Sequence, residues 1–500
     1  MSEENHGSAQ VWTLARFKHV KELLSCDEPG FALAMLDDML LRQPASMAEH
    51  WHAEHLRSLC LLELGEPQQA IAHLWESLCS NPGQPRSNQQ YNYSNYLFML
   101  HYLSDPEGEL LRERSFLYQR FADPEEAFRH SRQEHRRHGK LRIGYLSPEF
   151  TQGVVSRFTG QMLTGYDRER YEVCCYSCMP GDDELTESLC HEVDSWYVPG
   201  QGKAKPRELA QRIYDDGVDI LFDLGGHTAG GLTLQVMMYK PAPIQVSGIG
   251  YMSTTGLKTV DYYLGDIYCD PAGSEMDFCE KILRLPHSHF CYTPAPQVLQ
   301  VRCVRKPHEG IVFGSFNNFL KVNDEVLAVW AEILRRVPDS RLLLKANRYN
   351  PQVMQKLKQR AESVGIEERR LSVEQPESSY MERYSEIDIA LDTFPYVGGG
   401  TTCDALYMGV PVISLYGRRH STRFGYSLLM NAGLGELAAT TEAEYIEKAV
   451  ALASDTELLA ALHRKIPQMF WQSPVMDVAG YMHDIQATYE DIWHKWLIGN

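Results

Sequence analysis

Residues 396–409 read Tyr-Val-Gly-Gly-Gly-Thr-Thr-Cys-Asp-Ala-Leu-Tyr-Met-Gly, and this stretch decides the fold. An apolar run, Ile387–Leu391, precedes it and a second run, Val410–Leu415, follows it. The pattern predicts a strand, a glycine turn that opens a helix, and a second strand. Strands that alternate with helices build parallel, doubly wound sheets. The surrounding chain is therefore predicted to be an α/β domain.

The glycine turn has the composition of an anion site. Glycines let backbone N–H groups approach a ligand closely, and a helix N-terminus favours negative charge. The residues predicted to bind a phosphate or pyrophosphate here are Gly398, Gly399, Gly400, Thr401 and Thr402. Asp404, one turn further on, is placed to accept a hydrogen bond from a ribose hydroxyl. The spacing matches neither a Gly-x-Gly-x-x-Gly fingerprint nor a Walker loop, so a tight turn without a ligand remains the alternative.

The composition excludes several classes of protein. The 500 residues allow three domains, and the 44% apolar content is ample for packed cores. The formal net charge of −18 disfavours a nucleic-acid partner and an anionic membrane surface. No apolar stretch has the length of a signal-peptide core or a membrane span, and the cysteines lack the paired spacing of a zinc site. We expect a cytoplasmic chain with no membrane span and no metal.

Residues 1–138 are predicted to be helical throughout. An internal repeat is visible there, in which Ala32, Leu36, Leu40 and Pro44 recur as Ala70, Leu74, Leu78 and Pro82. The repeat resembles tetratricopeptide repeats. Two copies are too few for a free-standing solenoid, so the helices that follow are expected to cap the array against the next domain. Simple packing, docking of an acceptor protein and a homodimer contact remain open for this region.

Two α/β units are predicted after the helical region. The first opens at Leu141–Leu146 and the second at Ile311–Phe316, and apolar strands alternate with helices in both. The predicted boundaries are 139–305 for the first lobe, 306–475 for the second, and 476–500 for a helix that returns to the first lobe. Two such units in tandem are expected to bind a ligand between them, at the carboxyl ends of their strands.

Six segments, taken in order, resemble the bacterial branch of the protein O-linked N-acetylglucosamine transferase family. They are residues 141–150 (LRIGYLSPEF), 223–230 (DLGGHTAG), 240–256 (KPAPIQVSGIGYMSTTG), 314–322 (GSFNNFLKV), 388–406 (DIALDTFPYVGGGTTCDAL) and 417–423 (GRRHSTR). The resemblance covers nearly the whole chain. It implies a tetratricopeptide-like helical domain followed by a GT-B region of two Rossmann-like lobes. It also implies an inverting, metal-independent glycosyltransferase that uses a nucleotide sugar, usually linked to UDP.

Inverting transfer develops negative charge on the departing diphosphate, and without a metal this charge needs cations and dipoles. Lys321, after the predicted strand Ile311–Phe316, matches the lysine that the family places on the phosphates, and we assign it as catalytic. A lysine at a helix start opposes the helix dipole, which favours a functional role over a plain surface position. Asn317 and Asn318 beside it are either helix caps or donors to the diphosphate.

Two further segments supply candidate site residues. His227 follows a strand and stands between glycines in Gly225–Gly230, where it is expected to face the cleft and to bind the sugar or orient the acceptor. An ordinary turn histidine is the alternative. His420 and Arg423 follow another strand, which ends at Leu415, and are expected to face the cleft and bind the donor. The alternative for His420 is a cap of the next helix.

Gly153 marks a departure from the family pattern. Most relatives carry a histidine at this place, which is a proposed general base or acceptor-site element. Without it, the acceptor proton is left to Glu149, His227 or the departing phosphate, or the acceptor is not a serine or threonine.

The resulting prediction is a glycosyltransferase that moves N-acetylglucosamine from UDP-N-acetylglucosamine onto a serine or threonine hydroxyl of an acceptor protein or peptide. No cofactor is expected beyond the donor, and UDP is the product. The alternatives within the enzyme class are glucose transfer from UDP-glucose to asparagine and fucose transfer from GDP-fucose. A non-catalytic interaction protein that binds a nucleotide sugar is the alternative from a different class.

Overall fold

The computed structural model describes residues 15–26, 28–41, 46–80, 86–105, 107–132, 139–200, 202–294, 305, 308–345, 350–377 and 380–499. The predicted boundary between the helical region and the first lobe, at residue 138, lies beside residues outside these ranges. The same holds for the predicted boundary between the lobes, at residue 306.

The N-terminal region is all helical. Residues 15–25 are helical, and they are followed by α1 (Pro29–Leu41), α2 (Met47–Glu63), α3 (Pro67–Ser80), α4 (Arg86–Met99) and α5 (Glu109–Phe116). Gly65 joins α2 to α3 with a φ of 79°, a conformation that glycine adopts without a steric penalty. The repeated positions Ala32, Leu36, Ala70 and Leu74 are fully buried. The repeat therefore marks the residues that pack the helices together.

The first lobe contains a parallel sheet of seven strands in the order β3-β2-β1-β4-β5-β6-β7. Its strands are β1 (Leu141–Ser147), β2 (Tyr171–Ser177), β3 (Ser195–Tyr197), β4 (Ile220–Asp223), β5 (Ile244–Ser247), β6 (Tyr262–Asp266) and β7 (Lys281–Leu285). Its helices are α6 (Ser156–Thr164), α7 (Glu184–Glu192), α8 (Pro206–Asp215) and α9 (Leu232–Met237). The strands are apolar and mostly buried, as expected of a sheet that is covered on both faces.

The second lobe repeats this plan with a six-stranded sheet in the order β10-β9-β8-β11-β12-β13. Its strands are β8 (Val312–Ser315), β9 (Arg341–Lys345), β10 (Leu371–Glu374), β11 (Ile389–Leu391), β12 (Val412–Leu415) and β13 (Ala438–Ala439). Its helices are α10 (Asp324–Arg336), α11 (Pro351–Ser363), α12 (Gly400–Tyr407), α13 (Phe424–Asn431), α14 (Glu442–Ser454) and α15 (Thr456–Trp471). Both sheets have the 3-2-1-4-5-6 order of a doubly wound fold. The predicted α/β class with two Rossmann-like lobes after an all-helical domain is confirmed.

The last helix, α16 (Val478–Ile498), packs on the first lobe. The hydroxyl of Tyr489 lies 3.1 Å from that of Tyr145 on β1, and the hydroxyl of Tyr481 donates to the carbonyl of His289 at 3.0 Å. The chain thus crosses from the second lobe back to the first, which ties the two lobes together at one end of the cleft.

Among the residues described, no helix has the length and the apolar character of a membrane span.

Candidate functional site

A cavity of 530 Å³ lies between the two lobes. Its walls come from loops at the carboxyl ends of both sheets, which is where doubly wound folds bind their ligands. The helical domain supplies a third wall, because Phe98 and Tyr102 also line the cavity. Polar, glycine and aromatic residues of both lobes line it together with a valine, among them Val154, Arg157, Thr228, Asn317, Asn318, Lys321, Lys345, Tyr380, Tyr396, Gly399, Gly400, Thr401 and Asp404.

The glycine turn before α12 is built on the carboxylate of Asp392. This buried group accepts from the N–H of Gly398 and from the hydroxyl of Ser414, both at 2.7 Å. Burial raises the pKa of Asp392 to about 6. A Cβ atom at Gly398 would lie 2.4 Å from the hydroxyl of Thr401. Glycine at this position is therefore required by the packing within the turn. The N–H group of Gly398 already donates to Asp392 and is not free to bind a phosphate.

The next two glycines face the cavity. A Cβ at Gly400 would lie 3.0 Å from Cγ1 of Val154, which reaches over from the first lobe, and one at Gly399 would only touch Phe290 at 3.7 Å. Helix α12 begins at Gly400, and the first N–H groups of a helix have no partner within the helix. This end of α12 therefore retains the features of an anion site.

The two threonines have different roles. The hydroxyl of Thr401 lines the cavity and donates to the side-chain oxygen of Asn317 at 3.0 Å, and the amide of Asn317 in turn donates to Asp392 at 3.2 Å. The hydroxyl of Thr402 donates to the carbonyl of Gly398 at 3.1 Å, and Thr402 is not part of the cavity wall. Thr401 thus belongs to the site, whereas Thr402 stabilises the turn.

Lys321 lies beside this turn, at the end of the short helical turn Phe319–Lys321 after β8. Its ammonium donates to the carbonyl of Val397 at 3.0 Å and lies 3.7 Å from the centre of the Tyr396 ring. Burial lowers the pKa of Lys321 to about 8. Asn318 also lines the cavity, and its side chain caps the turn by accepting from the N–H of Leu320 at 3.0 Å.

Asp404 reaches the cavity but carries no free acceptor position. Arg157 of the first lobe donates to both carboxylate oxygens at 2.9 Å, and the hydroxyls of Tyr292 and Tyr380 also donate to it. A carboxylate has about four acceptor positions, so these four bonds fill them. The structure therefore differs from the expectation of an open carboxylate, and a ribose hydroxyl would have to displace one of the tyrosines.

His227 does not line the cavity, which differs from the expectation that it faces the cleft. It is fully buried, and its ring nitrogens lie 2.9 Å from the Ser94 hydroxyl and 3.0 Å from the Thr255 carbonyl. Burial lowers its pKa to about 3. The physical reason is the packing of helix α4, because a Cβ atom at Gly230 would collide with the ring of Tyr91. Gly230 leaves room for the helical domain to pack closely, and the side chain of His227 points toward Ser94 of that domain.

His420 and Arg423 connect the lobes at a different place from the cavity. The Nδ1 atom of His420 lies 2.9 Å from the carboxylate of Asp270, and Arg423 donates to the carbonyl of Tyr268 at 2.7 Å. Both partners belong to the first lobe. Neither His420 nor Arg423 is part of the cavity wall, so their predicted position at the donor is not what the structure shows.

Several residues that form or support the cavity wall were not predicted from the sequence. Arg157 stands 247 positions from Asp404, and no local pattern connects two residues so far apart. Asp392 gave a local signal, because an acidic residue at the carboxyl end of a buried strand, directly before a glycine turn, is typical of a group that holds such a turn. Phe98 and Tyr102 lie on helices whose apolar residues look like ordinary core.

The fold and the cavity define a two-lobed GT-B protein whose ligand site lies at the carboxyl ends of both sheets. The model of glycosyl transferase family 41 matches residues 122–302 and 294–485. The chain therefore belongs to glycosyl transferase family 41.

Curated plant proteins are similar to most of the chain. A probable UDP-N-acetylglucosamine–peptide N-acetylglucosaminyltransferase SPINDLY from Petunia hybrida is 38% identical over 371 residues, which are 72% of this chain and 39% of that protein. The corresponding SEC protein from Arabidopsis thaliana is 30% identical over 369 residues, which are 71% of this chain and 37% of that protein. The chain thus spans about two fifths of the length of these relatives.

A solved structure is similar over nearly the full length of both chains. It is a mutant of the O-GlcNAc transferase from Thermobaculum terrenum, with 28% identity and a TM-score of 0.77. The match covers 97% of this chain and 98% of that one. It includes the helical domain as well as the two lobes.

Proposed function

We propose that the protein transfers N-acetylglucosamine from UDP-N-acetylglucosamine onto a serine or threonine hydroxyl of an acceptor protein. The observation that carries the proposal is the position of Lys321 beside the N-terminus of α12, on the second-lobe wall of the interlobe cavity. Membership of family 41 supports glycosyl transfer, and the names of the relatives from Petunia and Thermobaculum support this donor and this kind of acceptor.

The cavity wall carries hydrogen-bond donors and a cation that can stabilise a departing diphosphate. Negative charge grows on the departing UDP as the sugar bond breaks, and preorganised donors stabilise it without reorganisation. Lys321 offers an ammonium that is already held in place by the carbonyl of Val397. The first N–H groups of α12 offer a second set of donors. Glu377, the other carboxylate on the wall besides Asp404, is paired with Lys345 at 2.8 Å.

The acceptor proton needs a base on the first-lobe side. His227 is buried and hydrogen-bonded away from the cavity, which leaves Glu149 and the departing phosphate from the three candidates. Glu149 is exposed on the loop after β1. We propose Glu149 as the group that takes the proton, since it stands directly after β1, at the carboxyl edge of the first-lobe sheet that borders the interlobe cavity.

A reducing compartment suits this protein. The eleven cysteines within the described residues form no disulfide, and disulfides are rare in the cytosol. We therefore propose a cytoplasmic enzyme that modifies cytoplasmic proteins.

The test is donor turnover with a whole-cell lysate as acceptor, followed by mass spectrometry of the modified peptides. Parallel reactions contain UDP-N-acetylglucosamine, UDP-glucose or GDP-fucose. The proposal expects N-acetylhexosamine on serine or threonine in the first reaction, and far less modification in the other two. Glucose on asparagine or fucose from GDP-fucose would replace the proposed donor, and binding of a donor without transfer in any reaction would contradict an enzymatic role. Glu149→Gln serves as the matched variant for the base and is expected to lower the rate about 100-fold or more.

A further inference from the structure

A second cavity, of 340 Å³, lies beside the interlobe cavity and within the first lobe. It opens near Ser147 and Leu224, at the carboxyl ends of β1 and β4. The two cavities share Val154, Val155 and Thr228 as a common wall. A ligand in the second cavity would therefore lie directly beside the first-lobe wall of the interlobe cavity, which is named the donor cavity because the nucleotide sugar is proposed to bind there.

The lining of the second cavity is suited to an apolar group. Leu163 on α6, Leu185 and Leu189 on α7, and Phe150 supply its apolar surface. No lysine or arginine is among its lining residues in the part of the chain that the structure describes, and the one charged side chain is Glu149. Phosphates would find no cation here. The volume lies within the range of about 300 to 1,000 Å³ that is typical of ligand pockets.

Two glycines leave this cavity unfilled. At Gly153, on the loop after β1, and at Gly160, on α6, a Cβ atom would have no atom within 4 Å apart from the neighbouring residues and the backbone of α6 itself. Both line the cavity, and neither has a positive φ. A larger side chain at either position can thus be added without backbone strain and would occupy the cavity or its entrance.

We propose that the second cavity, here named the acceptor cavity, binds an apolar side chain of the acceptor polypeptide next to the modified hydroxyl. This inference rests on the proposed function, because it assigns a subsite to the acceptor of that reaction. Continuity with the donor cavity supports it. The shared wall formed by Val154, Val155 and Thr228 places a neighbouring residue of the acceptor in the second cavity while its hydroxyl faces the sugar.

The charge around the acceptor cavity indicates that the acceptor carries a basic residue as well as an apolar one. Asp182, Glu184 and Glu187 are exposed on the segment that carries Leu185 and Leu189. This segment is fixed to the loop after β1, because the hydroxyl of Thr186 donates to the carbonyl of Phe150 at 2.7 Å. Glu149 lines the cavity and Glu184 directly precedes the lining residue Leu185, so the edge of the cavity carries negative charge, whereas Glu187 lies on the opposite face of α7 from Leu185 and Leu189. An acceptor with a lysine or arginine beside its apolar residue fits this edge.

The experiment uses synthetic peptides with a central threonine, in which each flanking position is varied in turn. Transfer from UDP-N-acetylglucosamine and binding of fluorescent peptides to the UDP-loaded protein are measured separately. The variants are Gly153→Phe and Gly160→Leu, which fill the cavity, and Glu184→Lys, which reverses one edge charge. Gly200→Leu is the matched control, because Gly200 is equally open and lines neither cavity.

Wild-type protein is expected to select leucine, methionine or phenylalanine at one flanking position, with lysine or arginine beside it. Each filling variant should lower kcat/KM for the preferred peptide at least tenfold and remove the apolar preference, with the Kd for UDP changed less than twofold. Glu184→Lys should remove only the basic preference, and Gly200→Leu should behave as wild type. Unchanged selectivity in folded Gly153→Phe and Gly160→Leu would overturn the acceptor cavity and leave the proposed function intact. Selective peptide binding without any transfer would overturn the proposed function and leave the cavity assignment standing.

Discussion

Arg157 of the first lobe binds both carboxylate oxygens of Asp404 in the second lobe, with Nη1 at 2.9 Å from each oxygen. The pair spans the cleft at the wall of the donor cavity, and the side chain of Asp404 is only 4% exposed. The hydroxyl of Tyr380 connects the two partners, because it accepts from Arg157 at 2.8 Å and donates to Asp404 at 3.1 Å. The pair therefore determines how the lobes meet beside the glycine turn.

Asp404→Ala is expected to lower the free energy of unfolding by about 3 to 5 kcal/mol, because it leaves the guanidinium of Arg157 largely buried without its counter-charge. Chemical denaturation followed by tryptophan fluorescence measures the change. The double variant Arg157→Met, Asp404→Leu should lose less stability than the two single variants added together, since no charge is then left unpaired.

The matched control is the ion pair between Arg336 and Glu447. Both oxygens of Glu447 accept here as well, from Nη1 and Nη2 of Arg336 at 2.6 and 2.9 Å, but the carboxylate side chain is 65% exposed. Removing it should cost about 1 kcal/mol or less. Equal effects at the two pairs would contradict the structural role given to Arg157 and Asp404.

Lys321→Ala is expected to nearly abolish sugar transfer while the fold survives. Removal of one preorganised donor to the departing group typically costs about 3 to 4 kcal/mol of activation free energy. Steady-state rates and a thermal melt of the same preparation separate the loss of chemistry from unfolding. Turnover within a few-fold of wild type would exclude this role for Lys321.

The affinity for UDP should fall as the pH rises through about 8. Burial lowers the pKa of Lys321 to about 8, whereas an unfolded lysine keeps its proton to about pH 10.4. The ammonium is therefore charged below pH 8 and is lost above it, together with its attraction for the diphosphate. The same shift means that this group destabilises the free protein below pH 8, and that this penalty fades between about pH 8 and 10.4.

Calorimetric titrations of UDP at about pH 7 and about pH 9.5 test this dependence, with Lys321→Met as the control. The variant should bind UDP weakly and show a much flatter pH profile, because its side chain has no proton to lose. A wild-type affinity that is independent of pH over this interval would contradict the assignment.

The sequence predicted the parts of the site that are continuous along the chain. The alternation around residues 396–409 predicted β11, α12 and β12, and the position of Lys321 after β8 placed it at a carboxyl strand end. The sequence pattern did not show in which direction an individual side chain points. His227 was expected in the cleft, but its ring is hydrogen-bonded to Ser94 of α4, and Gly230 in the same loop makes room for Tyr91 of that helix. Such packing brings together segments that are far apart in the chain, so no local sequence pattern predicts it.

Contacts between the two lobes could not be predicted from the sequence either. His420 and Arg423 do lie at a carboxyl strand end, but their partners Asp270 and Tyr268 belong to the other lobe. Two basic residues at a strand end are compatible both with a phosphate and with an interlobe contact. Only the relative placement of the two sheets distinguishes the cases.

Transfer is expected to persist in excess chelator. The two carboxylates on the donor-cavity wall within the described residues are Asp404 and Glu377, and each is paired with a cation from Arg157 or Lys345. The wall thus offers no uncommitted pair of acidic ligands of the kind that Mg²⁺ or Mn²⁺ prefers. Initial rates before and after dialysis against EDTA measure the effect. A loss that manganese alone restores would contradict a mechanism in which Lys321 stabilises the diphosphate.

The most direct measurement is calorimetric binding of UDP to wild-type protein and to Gly400→Val, with Gly200→Val as the control. A valine at position 400 would meet Val154 and cover the first N–H groups of α12, so it should raise the Kd for UDP by about a factor of 100, the loss of roughly 2.7 kcal/mol. Gly200→Val should bind as wild type does, because nothing lies within 4 Å of a Cβ at that position. We expect saturable, one-to-one binding of UDP to the wild-type protein and binding about 100-fold weaker to a folded Gly400→Val variant. Binding that is equally strong in wild type and Gly400→Val, or no binding of UDP to the intact chain, would contradict the assignment of this cavity as the donor site.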